Sequence, residues 1–451
     1  MPVRDAAVIS ATTFMQVWAY PLLFAQRVRL NFTQPLNPTT SRPPTSAGAP
    51  VNTVGHQRAL SDPRLAVGVA PNVDTLYSVA WLDVRHHDVV LELPDVGTRY
   101  ASFQIALPDT TTAITVGAGA SGGPLPTVRV SSGPPCIEST ADAVHVRTRW
   151  RYVMVVGRIL VEPESPDDLA TAHRLQDAIE LVCEPVAPAP AAVADRQLAR
   201  LGRVEETTDP AAFALALQQV LDDADSAVVD DAVRRALTES LLATHAGSTG
   251  VRAAQTEGLA RGLTAIGDHV RAFGRQVNGW AVNDVGTEFG ADHLLRAAVA
   301  HSQIFINPAS EALYPVCEVD ADGNPLDGGR TRYRLTFPAD SLPPVHAFWS
   351  LTAYHAEGLL VANEIDRYAI GDRTPGLSFA EDGSLTIAVQ ADRPNTTANW
   401  LPVPAGRFRL MLRLYRPARS TWSPPPVLAV HPGSPSWIGS SSSNGLAGSA
   451  S

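Results

Sequence analysis

The sequence predicts a mainly β (α+β) protein: two antiparallel β domains, jelly-roll or barrel-like, with an N-terminal helix and an interposed helical segment. Short runs rich in branched and aromatic residues, punctuated by Pro, Gly and Asp, fill residues 75–161 and return from 330 to 415. Between them, apolar residues recur at helical spacing with few breakers. Neither β portion alternates regularly with helices, so the sheets should be mainly antiparallel and buried in jelly-roll or sandwich layers.

Residues 1–33 read as a buried first helix. Ala6 to Gln26 has no charged residue, yet Thr12, Thr13, Gln16 and Pro21 within it argue against a membrane span or an export signal. The chain as given is therefore expected to be soluble and cytoplasmic, or exported if a leader lies upstream. Residues 34–50, rich in Pro, Thr and Ser, form an arm without regular structure. The first β domain, 51–165, should carry strands at 75–84, 88–93, 99–107, 112–116, 127–130 and 152–161. Helices are expected at 166–183, 209–222, 226–245 and 251–277, together an acidic helical segment spanning 166–278. The second β domain, 279–432, holds the strand-like runs RTRYRLTF, VHAFWSLTAY, SLTIAVQ and RFRLMLRLY. A Ser/Gly-rich tail, 433–451, is expected to be disordered.

Composition excludes several chemistries. The 35 basic residues are all arginine, so Schiff-base catalysis, a lysine general base and a phosphate-loop lysine are ruled out. Residues 162–239 hold 17 acidic side chains against 6 arginines, or −11 of the total −10, leaving the rest of the chain at +1. No clustered basic footprint exists for nucleic acid. Cys136, Cys183 and Cys317 lie far apart and fit no metal-ligand spacing.

Several motifs look catalytic and have plainer explanations. Gly117 to Gly123 (GAGASGG) fits both a dinucleotide fingerprint and a nucleophile elbow, but Pro124 and Pro126 follow where a helix would have to begin. A glycine-rich turn is the better account. The histidine pairs His86/His87 and His293/His301 have no chelating spacing, and DADGNPLDGG lacks the closing glutamate of a calcium loop. Arginines 330, 332 and 334 share one strand face, as do Arg407, Arg409 and Arg413. These trios either keep an outer sheet face solvated or line a common anion pocket.

Longer words carry a resemblance. VNTVGHQRALSDP, PNVDTLYSVAWLDV and LELPDVGTRY resemble domain-of-unknown-function family 1254. Tyr314, DGNPLDGG, PPVHAFWSLTAY, DGSLTI, NWLPVPAGRF and LRLYRP resemble the partner family 1214, and together the matches span most of residues 10–430. The resemblance implies paired β-barrel or jelly-roll domains with a helical part between them, reminiscent of capsid subunits, and self-association into a homo-oligomer. Relatives often carry an export signal, and usually a Gly-x-Arg segment where this chain has GAGASGG.

Within these words Asn72, Trp81, Trp349, Ser350, Asn363, Asn399, Trp400 and Arg413 are the candidate contacts for a small polar or anionic organic molecule between the β domains. Should the protein be an enzyme, Asp74 as general base with Tyr77 or Tyr354 as proton donor is the economical set, matching hydrolase or lyase chemistry without metal or cofactor. Asn72 and Asp74 fit a turn that caps backbone amides equally well. The rival expectation is a capsid-like assembly subunit without catalysis.

Overall fold

The computed structural model describes residues 3–34, 42–65, 70–117, 123–162, 165–186, 203–224, 228–241, 249–272, 274–418 and 422–430. The glycine-rich turn at 118–122, part of the Pro/Thr-rich arm and the Ser/Gly-rich tail lie outside them.

The helix α1 (Val3–Thr33) comes first, followed by nine strands: β1 (Gly55–His56), β2 (Thr75–Asp83), β3 (His87–Glu92), β4 (Ala101–Ala106), β5 (Thr112–Gly117), β6 (Thr127–Ser132), β7 (Cys136–Ser139), β8 (Ala143–Thr148) and β9 (Tyr152–Leu160). Next come α2 (Pro166–Asp177) and β10 (Glu180–Pro185). These strands form two five-stranded sheets, ordered β1-β2-β9-β4-β5 and β10-β3-β6-β8-β7. Alternation turns Leu76, Ala80 and Leu82 of β2 inward to meet Val128 and Val130 of β6 and Val144 and Val146 of β8 in one core.

The helices α3 (Pro210–Asp222), α4 (Asp231–Leu241) and α5 (Thr249–Ala272) follow, then β11 (Arg275–Val277), β12 (Trp280–Val282) and α6 (His293–Gln303). The second β unit adds β13 (Ala312–Leu313), β14 (Val316–Cys317), β15 (Arg332–Phe337), β16 (Val345–His355), β17 (Ala369–Gly371), β18 (Leu385–Gln390), β19 (Trp400–Pro402), β20 (Phe408–Pro417) and β21 (Val427–Val430). A seven-stranded sheet, β11-β12-β14-β20-β16-β17 with β13 also on β20, covers the four-stranded sheet β19-β18-β15-β21. Trp349, Leu351, Leu410 and Leu412 meet Leu335, Ile387 and Val427 between them.

The mainly β class with its N-terminal and middle helices is as the sequence predicts, with corrections. No sheet closes into a barrel: each β unit is a pair of open sheets with free edges, β7 being a fully exposed one. Pairing is antiparallel except for β6 with β8 and β18 with β19, which are parallel. The helix expected through Cys183 ends at Asp177, because the next residues complete the open edge of β3. The helix expected to reach Val277 ends at Ala272 and gives way to a hairpin. Asn278 and Gly279 form its two-residue turn, both at positive φ (51° and 82°), the Asn-Gly signal of a tight hairpin.

α1 is long and apolar enough to cross a membrane, and most of that stretch is buried here against α3, α4, α5, α6 and the outer face of the first sandwich. Its contact with α5 is close because α5 presents Gly258 and Gly262. A Cβ at Gly258 would sit 2.7 Å from the Thr12 Cβ, and one at Gly262 would sit 2.5 Å from the Gln16 Cβ. Gly262→Val should therefore destabilise the fold by about 1–3 kcal/mol, the usual cost of overpacking, read as a lower urea midpoint at unchanged slope.

Candidate functional site at the domain interface

The two β units meet through the outer faces of the β1-β2-β9-β4-β5 sheet of the first and the seven-stranded sheet of the second. In β16 the residues alternating with the core set are Phe348, Ser350, Thr352 and Tyr354; in β20 they include Arg413 and Tyr415. Cross-strand register sets Phe348 opposite Tyr415 and Ser350 opposite Arg413. From the first unit, Tyr77 on β2 lies opposite Arg158 on β9, and Arg158 lies opposite Ser102 on β4.

The loop entering β2 seals this interface. Asn72 Oδ1 accepts from the Asp74 amide at 2.7 Å, the expected Asx-type turn, while its Nδ2 donates to Thr75 Oγ1 (3.0 Å) and, across the interface, to Tyr415 Oη (2.8 Å). Asp74 is buried and holds both its oxygens in the other unit's donors: Ser350 Oγ donates to Oδ2 and Arg373 Nη2 to Oδ1, each at 2.6 Å. The Arg373 guanidinium lies 4.3 Å from the Phe348 ring centroid. Arg413 donates to Thr352 Oγ1 (2.8 Å), Tyr354 Oη (2.6 Å) and the Ala70 carbonyl (2.7 Å), and Tyr354 in turn donates to the Pro71 carbonyl at 2.7 Å. Burial raises the Tyr354 phenol above its ordinary range, with Arg413 opposing the shift, so it stays a donor at neutral pH.

Beside this clasp lies a group that is less satisfied. Arg158, only 5% exposed, donates to Gln104 Oε1 (3.2 Å) and Asn307 Oδ1 (2.9 Å) and makes no salt bridge among the described residues. Around it stand Tyr77, Tyr314, Tyr100 and Tyr415, with its guanidinium carbon 5.4 Å from the Tyr77 ring centroid. Tyr77, Tyr314 and Tyr415 each accept a hydrogen bond, the first and third from Asn72 and the second from Asn307. Among the described residues none of the three has an acceptor for its own O–H. Burial raises the Tyr314 phenol and lifts Tyr415 well above its usual range, so both keep their protons. Tyr77 and Tyr314 are half-buried, whereas Arg158 and Tyr415 are buried.

Of the residues singled out from sequence, Asn72, Asp74, Tyr77, Ser350, Tyr354 and Arg413 come together here. Five do not, and the common site expected for them is corrected. Trp349 packs in the second core against Phe337 (centroids 5.4 Å apart), on the opposite face of β16 from Ser350. Trp400 is buried and donates to the Gln390 carbonyl at 2.9 Å. Asn399 bridges Ser378 and Thr386, and Asn363 closes its own turn by donating to the Arg367 carbonyl at 2.9 Å. Trp81 faces the helices, edge-on to Phe305. Arg158, Tyr314 and Asn307 were missed, since a lone arginine in an apolar strand and a loop tyrosine carry no local signal.

The arginine trios do not share a pocket either. Arg332 and Arg334 are on β15 in the smaller sheet, Arg409 and Arg413 on β20 in the larger. Arg330 and Arg407 do flank a cleft of about 310 Å³ with Asp320, Asp322 and Asp327. There the Asp320 carboxylate accepts from the amides of Asp322 (3.0 Å) and Asn324 (2.9 Å), as a hairpin loop requires.

Fold and interface thus define a protein of two β sandwiches clasped through buried polar side chains, with helices packed on the first. Residues 51–182 match the model of the protein of unknown function family DUF1254, and residues 311–419 match that of DUF1214; the chain belongs to this pair of families. No curated protein matches it. Among solved structures it is similar to the VPA0106 protein of Vibrio parahaemolyticus, at 18% identity and TM-score 0.64, over 95% of this chain and 100% of that one. A weaker likeness is to an uncharacterized protein of Burkholderia cenocepacia, at 14% identity and TM-score 0.45, covering 95% and 93%. The first shows a shared fold.

Removing the Asp74 charge should loosen the clasp. Asp74→Asn is expected to cost about 1–3 kcal/mol, because it removes the close, buried partner of the Arg373 guanidinium and leaves it the more exposed Glu162 at 3.5 Å. Paired with Arg373→Gln in a double-mutant cycle by urea denaturation, it should show a coupling of about 1 kcal/mol or more; additive losses would show that the ion pair is unimportant.

Proposed function

We propose that a small organic anion binds between the β units, held by Arg158 and the hydroxyls of Tyr77, Tyr314 and Tyr415. The observation that supports this is the surplus of donors among the described residues: one buried guanidinium that makes no salt bridge, with the Glu311 carboxylate acting on it only from beyond contact distance, and three phenol O–H groups without an acceptor. Buried donors are normally satisfied, and a carboxylate, with two oxygens and about four lone-pair directions, supplies what this group lacks. Charge-assisted hydrogen bonds to such an anion are short and strong, the more so where water is excluded.

In this reading Tyr77, expected as a proton donor, becomes a ligand contact, while Asn72, Asp74, Ser350, Tyr354 and Arg413 build the wall. Asp74 is a poor general base in this geometry, since both oxygens already accept from Ser350 and Arg373. Binding, rather than acid/base turnover, is the function the arrangement supports best.

Thermal-shift melting against mono-, di- and hydroxycarboxylates, with the matching neutral amides as controls, tests this. A ligand at 100 times its Kd should add about 2.7 kcal/mol of stability, and the melting temperature should rise accordingly. Tyr314→Phe and Tyr77→Phe, which remove only a hydroxyl, should each weaken binding about tenfold. Equal shifts from acids and amides, or no loss in the two variants, would sink the proposal.

A further inference from the structure

The outer face of the first sandwich carries a recess, some four residues along β2 from the interface. Tyr77 and Trp81 stand on the same strand face, so the two places are separated by about 13 Å of strand. This recess lies where α1 and α3 cross the sheet. Its walls are apolar and aromatic, from Leu22, Trp81, Trp150 and Tyr152 among others, and its interior measures about 30 Å³. At on the order of 10–15 Å³ per water, that admits two or three waters or one small polar group.

Its polar groups are unsatisfied to an unusual degree. Gln26 is 6% exposed, and among the described residues neither its amide nitrogen nor its amide oxygen has a hydrogen-bond partner; the indole Nε1 of Trp81, a 2% exposed residue, has none there either. Arg29, 7% exposed, lays its guanidinium on the Tyr152 ring at 3.7 Å from the centroid and makes no side-chain hydrogen bond among the described residues. Its nearest carboxylate oxygen, on Asp223, is 3.8 Å away, and that carboxylate is shared with Arg151 (2.9 Å) and Arg85 (3.6 Å). Arg151 also pairs with Asp83 at 2.6 Å. Arg85 is exposed at the surface, so within the recess Arg29 and Arg151 share Asp223 and Asp83, and Arg29 is the guanidinium held farthest from its carboxylate.

We infer that this recess is a second ligand site, for a small monocarboxylate whose oxygens accept from Arg29, Gln26 Nε2 and Trp81 Nε1. Gln26 Oε1 would take the one donor that a hydroxy acid or a bridging water provides. The volume admits a carboxylate with at most a very short carbon skeleton. The site shares no residue with the cluster around Arg158.

Trp81 and Trp150 line the site, so occupancy should change tryptophan emission. Titrating the full chain with formate, acetate and glycolate should give a saturable change for at least one of them, and none with the matching amides. Gln26→Leu keeps the shape and removes only the unsatisfied amide, so it should leave the fold intact while weakening that binding about tenfold or more. Tyr314→Phe should leave it unchanged, which separates this site from the cluster around Arg158. No saturable change with any of the acids, or equal affinity in Gln26→Leu, would overturn the inference and leave ordered water as the occupant.

Discussion

Asp74 holds the molecule together as one body. It leaves the first β unit at the mouth of β2 and places both carboxylate oxygens on donors of the second, Ser350 and Arg373. A carboxylate taken out of water is costly unless paired and fully hydrogen-bonded, and here it is both. The neighbouring contacts repeat the same logic: Arg413 reaches the Ala70 carbonyl, Tyr354 the Pro71 carbonyl and Asn72 the Tyr415 hydroxyl. Separating the units would strand several of these groups at once. The polar interface therefore fixes one relative placement of the sandwiches rather than letting apolar faces slide.

That placement is a product of strand alternation. Each of the two facing sheets turns one row of side chains into its own sandwich and the other row outward, and the outward rows are largely polar where the sheets meet. On β2 the outward row runs from Tyr77, at the second β unit, through Val79 to Trp81, beneath the helices. One face of one strand thus contributes to both candidate sites. The helices act on this face as a cover: α1 fits closely to α5 only because Gly258 and Gly262 lack side chains, and the same packing brings Gln26 and Arg29 over the sheet.

Much of the site was legible in local pattern. Ser350, Thr352 and Tyr354 share a face by period two, and so do Tyr77 and Trp81; the structure keeps both groupings. Asn72 and Asp74 read equally well as a turn and as a site, and they form a turn whose second member doubles as the interdomain clasp. Trp349 shows the limit of the method. It neighbours Ser350 in a polar-looking word, yet adjacent strand residues face opposite ways, so it fills a core instead. Trp400, Asn363 and Asn399 satisfy nearby backbone groups, a use that composition alone cannot tell from ligand contact. The Asn278-Gly279 hairpin carried a readable signal that the helical periodicity before it obscured.

The sequence by itself determined the mainly β class, the first helix, the faces of the principal strands and the exclusion of lysine chemistry, because hydrophobic period and residue type are local properties. It also carried the paired-family resemblance, which rests on long contiguous words. Only the tertiary structure decided that the sheets remain open, that β10 completes the edge of β3, and that Arg158, Tyr314 and Asn307 meet Tyr77. Those outcomes depend on contacts between residues up to some hundreds of positions apart, such as Arg158 with Asn307 and Asn72 with Tyr415. No periodicity encodes such a contact, since it forms only when whole sheets have chosen their partners and buried charges must find theirs.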